Sequence, residues 1–191
     1  MRSFKGEIKM EAARNLKFTY HDYQFLPEDK RYEIMEGELY VVPAPNEVHQ
    51  RISRNLEYAL MQYLETHPIG ELYDAPFDII LSNENVVQPD IIIILNQRKG
   101  IINTKNVKGA PDIVIEILSP STPERDKDIK FKLYIKYGVK EYWIVDPYAQ
   151  SIEVFKASPS GFDLVRTFTP GVPLFSTILP ELAVNLAKVF A

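Results

Sequence analysis

Two runs of branched aliphatic residues constrain the fold more than any other feature of this chain. They are DIIIIL, residues 90–95, and DIVIEIL, residues 112–118. Neither alternates between apolar and polar positions, so each reads as a strand buried on both faces of a covered sheet. Both follow a proline, but two similar buried strands account for that without an internal repeat. The second run contains a residue that its surroundings should exclude. Glu116 lies between Ile115 and Ile117, and a glutamate is almost never fully buried unless it is paired or coordinates something. Either Glu116 meets a buried Lys or Arg, or it faces a cation.

The remaining elements follow from periodicity and breakers. Residues 19–47 read as a short helix and then a hairpin that turns at Glu36-Gly37 and stops at Pro43 and Pro45. Asn46 caps a helix in which Val48, Ile52, Leu56, Ala59, Leu60, Tyr63 and Leu64 form one apolar stripe. Three strands follow, over residues 71–81, 86–95 and 111–119, with Pro76 and Pro89 marking bulges or edges. The stretch 96–110 reads as a loop. Thr122-Pro123 starts a second helix, which Gly138 ends. Two strands from Glu141 and Ser151, a third around residues 162–170, and a short amphipathic helix over 179–190 close the chain. The expectation is an α/β domain with a mixed central sheet flanked by helices and an N-terminal hairpin. Its bounds are residues 19–191, after a flexible lead-in over residues 1–18.

The acids fall where chemistry could use them. If the hairpin over residues 77–94 turns near Glu84, Asp78 and Asp90 lie opposite each other, with Gln88 on the face of Asp90. Like charges across a ladder repel, so such a pair belongs at a wet strand end or around a cation. A strand bearing Asp90 beside one bearing Glu116 brings two carboxylates within reach of a hard divalent ion. Mg²⁺ takes few protein carboxylates and fills its shell with water and phosphate oxygens. Such an ion activates water for phosphoryl displacement.

These residues carry a resemblance. Pro89-Asp90 on one strand and Glu116 on the next resemble the PD-(D/E)XK restriction-endonuclease-like superfamily, whose core order, αβββαβ, is the order read above. Within it the chain resembles the bacterial Uma-two family of restriction-endonuclease-like proteins. The matching phrases, among them RYEIMEGELYVV, HQRISRNL, VVQPDIIII, PDIVIEILSPSTPERD and LYIKYGVKEYWIVDP, run in order from residue 19 onward. The resemblance implies a metal-dependent endonuclease acting on DNA, with Asp90, Glu116 and the Ile117 carbonyl holding Mg²⁺ or Mn²⁺. The superfamily places a lysine two residues after the glutamate, where this chain has Leu118. The resemblance therefore points to a lysine arriving from the following helix, Lys130, which shares a helical face with Tyr134 and Tyr137. Glu38 is either a further site acid or an ordinary hairpin acid. His49 either positions water or phosphate or is a satisfied boundary histidine.

Composition narrows the rest. There are no cysteines, which removes thiolate metal sites and thiol nucleophiles. A net charge of −4 and a pI near 5.5 argue against a passive nucleic-acid coat. Basic residues are nevertheless unevenly placed: Arg98, Lys99, Lys105 and Lys108 occupy a stretch without acids. With Arg125 and Lys127 they either meet a phosphate backbone or form a solvated face. No apolar run is long enough to span a bilayer, and the first ten residues lack a signal-peptide core. The expectation is a cytoplasmic protein, and an open sheet edge together with the resemblance implies a homodimer. The competing reading is a nuclease fold without catalysis, serving as a nucleic-acid-binding or interaction module, for which Leu118 is the best support.

Overall fold

The computed structural model describes residues 16–119 and 125–191, and the side chains of residues 125–127 lie outside that description. The expected lead-in falls outside it up to residue 15, as does the expected cap Thr122. Helix α1, Tyr20–Tyr23, is capped by Thr19, which forms a reciprocal capping box with Asp22. Strands β1, Arg31–Met35, and β2, Glu38–Val42, make the expected hairpin. Glu36 and Gly37 both have positive φ, 53° and 83°, as a two-residue turn matched to strand twist requires. Asn46 caps α2, Glu47–Thr66, by accepting from the His49 N–H at 2.9 Å.

Prolines then reshape what the sequence suggests is one long hairpin. Strand β3, Gly70–Asp74, ends before Pro76, and β4, Asp78–Ser82, begins after it. Strand β5, Asn85–Val87, ends before Pro89, and β6, Ile91–Leu95, follows. Proline cannot donate to a ladder, so both legs break at the same level. The outer halves pair as Ile79↔Val87 and Ile80↔Val86, the inner halves as Asp74↔Ile91 through Gly70↔Leu95. The two halves join different sheets. Strand β7, Asn106–Lys108, and a 3₁₀ turn, Asn96–Ile101, lie inside the stretch expected to be loop.

Strand β8, Ile113–Ile117, a π-helical segment, Arg125–Lys130, and helix α3, Phe131–Tyr137, come next. Gly138 closes α3 in the left-handed conformation at φ 89°. Strands β9, Glu141–Asp146, β10, Ser151–Ser158, and β11, Gly161–Phe168, form a meander, and the last helix is only Leu186–Val189, α4. The single mixed sheet expected from the sequence is therefore two mixed sheets. One has the order β2-β1-β5-β4-β7, the other β11-β10-β9-β8-β6-β3.

The six-stranded sheet is covered on both faces, which explains the unbroken aliphatic runs. Ile91, Ile93, Ile113, Ile115 and Ile117 face one core with Ile52, Leu56 and Leu60 of α2. Ile92, Ile94, Val114 and Leu118 face the other with Met35 and Ile79 of the five-stranded sheet and Leu133 of α3. Each fully buried Leu or Ile contributes about 1.5–3 kcal/mol by its removal from water. Leu56 has no exposed surface. Replacing it with Ala should cost about 2–5 kcal/mol in a urea unfolding titration, through lost burial and the cavity left behind.

Candidate functional site

The site forms where the two sheets meet. Glu116 points from β8 into the core shared by the six-stranded sheet, the five-stranded sheet and α3, and only 3% of it is exposed. Lys130, at the entry to α3 and equally buried, donates from Nζ to Glu116 Oε1 at 2.9 Å. Tyr134, one helical turn on, donates its hydroxyl to the same oxygen at 2.5 Å. Burial and the nearby Glu116 charge push the Tyr134 phenol well above its usual range, so it remains a neutral donor. The expected face of α3 is therefore real. Its third member, Tyr137, accepts instead from Asn85.

Glu33 completes the cluster and was not singled out from the sequence. Its carboxylate lies 3.1 Å from Lys130 Nζ and accepts from the Gln88 backbone N–H at 2.8 Å. The signal was present: Glu33 alternates with Met35 on β1, so it shares a face with a core residue. Glu38, the hairpin acid considered for this role, is exposed and accepts from Tyr40.

Asp90 lies in the break between β5 and β6. Continuing the ladder Ile91↔Ile115 by one residue sets it beside Glu116. Asp90 Oδ2 accepts the Ile117 N–H at 2.8 Å, taking the place of a main-chain acceptor where β6 has ended. The same oxygen meets His49 Nε2 at 3.2 Å, and the His49 side chain is 13% exposed. Burial lowers the affinity of His49 for its proton. The hydrogen bond to Asp90, its charge and the Ile117 backbone outweigh that, and the imidazole is held above its usual value. A positively charged ring is thus favoured where the Asp90 carboxylate and the Ile117 backbone converge.

The other sequence candidates are distributed around this centre. Asp78 and Asp90 are not cross-strand neighbours, because the turn lies one residue from the position assumed and Pro89 interrupts the leg. Asp78 accepts from Gln88 Nε2 at 2.7 Å and from Tyr23 at 2.8 Å. Gln88 in turn holds Arg31, accepting from its Nε at 2.8 Å. Arg98 and Lys140 flank the buried carboxylate of Asp112, and Lys99 pairs with Glu71. Lys105 and Lys108 are exposed near the edge strand β7. The side chains of Arg125 and Lys127 lie outside the described residues. Leu118 is buried in the core on the Glu116 face and carries no polar group.

Among the described residues, no three His, Cys, Asp or Glu side chains are arranged to hold a metal ion. A hard cation that keeps several non-protein ligands needs only one or two protein carboxylates. The register sets Asp90 beside Glu116, and Asp90 Oδ1 takes no hydrogen bond among the described residues. A cleft of about 260 Å³ opens beside Asp90 and His49, with Arg31, Ser53 and Arg54 also in its walls.

The family described as "Uma2: Putative restriction endonuclease" matches residues 19–187. Two proteins of Synechocystis sp. (strain ATCC 27184 / PCC 6803 / Kazusa) are similar in sequence. "Uncharacterized protein sll1609" is 24% identical over 136 residues, 66% of this chain and 72% of the relative. "Uncharacterized protein slr1290" is 23% identical over 141 residues, 73% of each. A solved structure, that of "a putative nuclease belonging to DUF820 from Anabaena variabilis ATCC 29413", shares the fold with a TM-score of 0.75 and 20% identity. The match covers 91% of this chain and 97% of that one.

The buried ammonium has a measurable consequence. Lys130→Met takes a positive charge from between two buried carboxylates, which should lower stability by about 3–5 kcal/mol in denaturant unfolding. Tyr134→Phe removes a neutral hydrogen bond to a charged acceptor and should cost less, about 1.5–3 kcal/mol.

Proposed function

The chain belongs to the Uma2 family, and from that premise we propose that it is a metal-dependent endonuclease hydrolysing DNA phosphodiester bonds. Residues 19–191 would act as one nuclease-like domain, and a homodimer would supply two sites for a double-strand cut. The observation that carries this reading is the register that sets Asp90, which borders a cleft, beside Glu116, whose carboxylate Lys130 holds from the core side.

Asp90, Glu116 and the Ile117 carbonyl would hold Mg²⁺ or Mn²⁺. When bound, the ion supplies Lewis acidity to water and to the phosphoryl oxygens. Each protein group has its own task. Asp90 is fixed by the Ile117 N–H, so its second oxygen is pre-aimed at low conformational cost. Tyr134, held neutral, keeps Glu116 in one orientation. Lys130 would take the role of the superfamily lysine, aiming the attacking water and offsetting charge that develops in the transition state. Glu33 and Glu116 share that ammonium and fix its position. His49 makes the other contact to that fixed Asp90 oxygen through Nε2 and lines the cleft, where it would keep the carboxylate in place.

A second reading, a nuclease fold without catalysis, is favoured by one observation: Leu118 fills the conventional lysine position with a buried apolar side chain. Folding stability does not separate the two readings, since Glu116 is paired with Lys130 in either case. Activity does. Supercoiled plasmid incubated with Mg²⁺ or Mn²⁺ should be nicked by the wild type and not in EDTA. Asp90→Asn and Glu116→Gln, matched for folded fraction by circular dichroism, should each lose at least about 100-fold in rate. Equal rates for wild type and both variants would assign any cleavage to a contaminant and favour the inactive module.

A further inference from the structure

A second cleft, of about 580 Å³, opens on the N-terminal side of the five-stranded sheet. Its volume falls in the range of about 300–1,000 Å³ typical of ligand sites. The proposed cation-binding chemistry leaves it unused. Three features give it a chemical character. Tyr20 and Tyr23 line it with rings 6.2 Å apart and within 24° of parallel, and Tyr32 lines it too. Lys30, Arg31 and Lys105 bring three positive charges against Glu28 and Asp78, and Asp78 is already turned onto Tyr23 and Gln88. Asn106, a lining residue only 8% exposed, donates to the Tyr20 hydroxyl at 3.2 Å, while its Oδ1 is buried with no hydrogen-bond donor among the described residues. A buried acceptor without a donor costs stability unless a ligand or water supplies one.

The cleft is joined to the cation site by one side chain. Arg31 lines both this cleft and the smaller one that holds Asp90 and His49. Gln88, two residues from Asp90, fixes that guanidinium through Nε at 2.8 Å and through its carbonyl at 3.4 Å. Planar aromatic surfaces, a buried acceptor and a bridging guanidinium together suit a base on one side and its phosphate on the other. Every nucleobase has a π-face to stack, and each carries an N–H on its pairing edge for an acceptor such as Asn106 Oδ1. That edge is available only when the base is unpaired.

We propose that the cleft lined by Tyr20, Tyr23, Arg31, Lys105 and Asn106 is a nucleobase subsite that takes an unpaired nucleotide next to the phosphodiester at Asp90, so that the substrate strand is single-stranded or locally opened there. This rests on the nuclease reading for the identity of the neighbouring phosphodiester, but the base contact itself is testable without cleavage.

The experiment is fluorescence anisotropy of the full chain in EDTA, where no cutting occurs. The probes are a labelled 12-mer of thymidylate, the same-length strand carrying tetrahydrofuran abasic residues throughout, and a blunt duplex of the 12-mer. The three separate base recognition from attraction to backbone charge. The wild type should bind the thymidylate strand at least about fivefold more tightly than the abasic strand or the duplex. Tyr20→Leu and Asn106→Leu should each remove that preference while leaving affinity for the abasic strand unchanged. Lys105→Ala should weaken both single strands alike. Two results would overturn the subsite: equal wild-type affinity for thymidylate and abasic strands, or a preference that survives both Tyr20→Leu and Asn106→Leu. Base-dependent binding with no metal-dependent cutting of either the thymidylate strand or the plasmid would keep the subsite and sink the nuclease reading. Nicking without base-dependent binding would do the reverse.

Discussion

A single ammonium group, Lys130 Nζ, lies between carboxylates contributed by both sheets. Glu33 comes from the five-stranded sheet, Glu116 from the six-stranded one, and the lysine from the helix that packs over their junction. Buried charges of this kind rarely add stability over an apolar core of the same shape, but removal of one member is strongly unfavourable. The arrangement therefore contributes position more than energy. It fixes where α3 sits relative to two sheets otherwise held mainly by apolar contacts, which are non-directional, with the Asn85–Tyr137 bond as a second polar tie. Tyr134 adds a directional bond to the same oxygen of Glu116.

The junction itself comes from paired prolines. Pro76 and Pro89 stop both legs of one hairpin, so the chain passes from one sheet to the other twice within a few residues. Asp90 lies in that passage. A residue inside a continuous ladder has its main chain occupied and its side chain committed to one face. A residue at a break can turn its carboxylate along the strand axis, and Asp90 does so toward the Ile117 N–H. The same break leaves room for the cleft beside it and for the Gln88–Arg31 contact that borders the second cleft.

The legibility of this arrangement in the sequence was uneven, for physical reasons. Glu116 stood out because its neighbours are all apolar. Asp90 and Lys130 became candidates through strand adjacency and through the family resemblance, and the structure brings all three to one junction. Glu33 did not stand out because RYEIM alternates like any half-exposed strand, and the face it shares with Met35 becomes telling only once the pairing partners show that face covered. Two further buried acids were equally silent. Asp112 is surrounded by Arg98, Lys140 and the Leu95 N–H, and Glu141 receives bonds from Trp143, Ser176 and Thr177. Apart from Trp143, two residues along the same strand, these partners are remote in sequence, so periodicity carries no trace of them. The split into two sheets was missed for a related reason: a proline marks a break, but not which side of the break changes partners.

The bond from Ile117 to Asp90 has a consequence for which acid can occupy position 90. The carboxylate stands in for a main-chain carbonyl, so its distance from the backbone is set by the spacing between neighbouring strands. Glutamate reaches one methylene farther. It would either overshoot the Ile117 N–H or fold back on itself to meet it. The chain discriminates between two residues of equal charge by length alone, with the width of a β-ladder as the ruler.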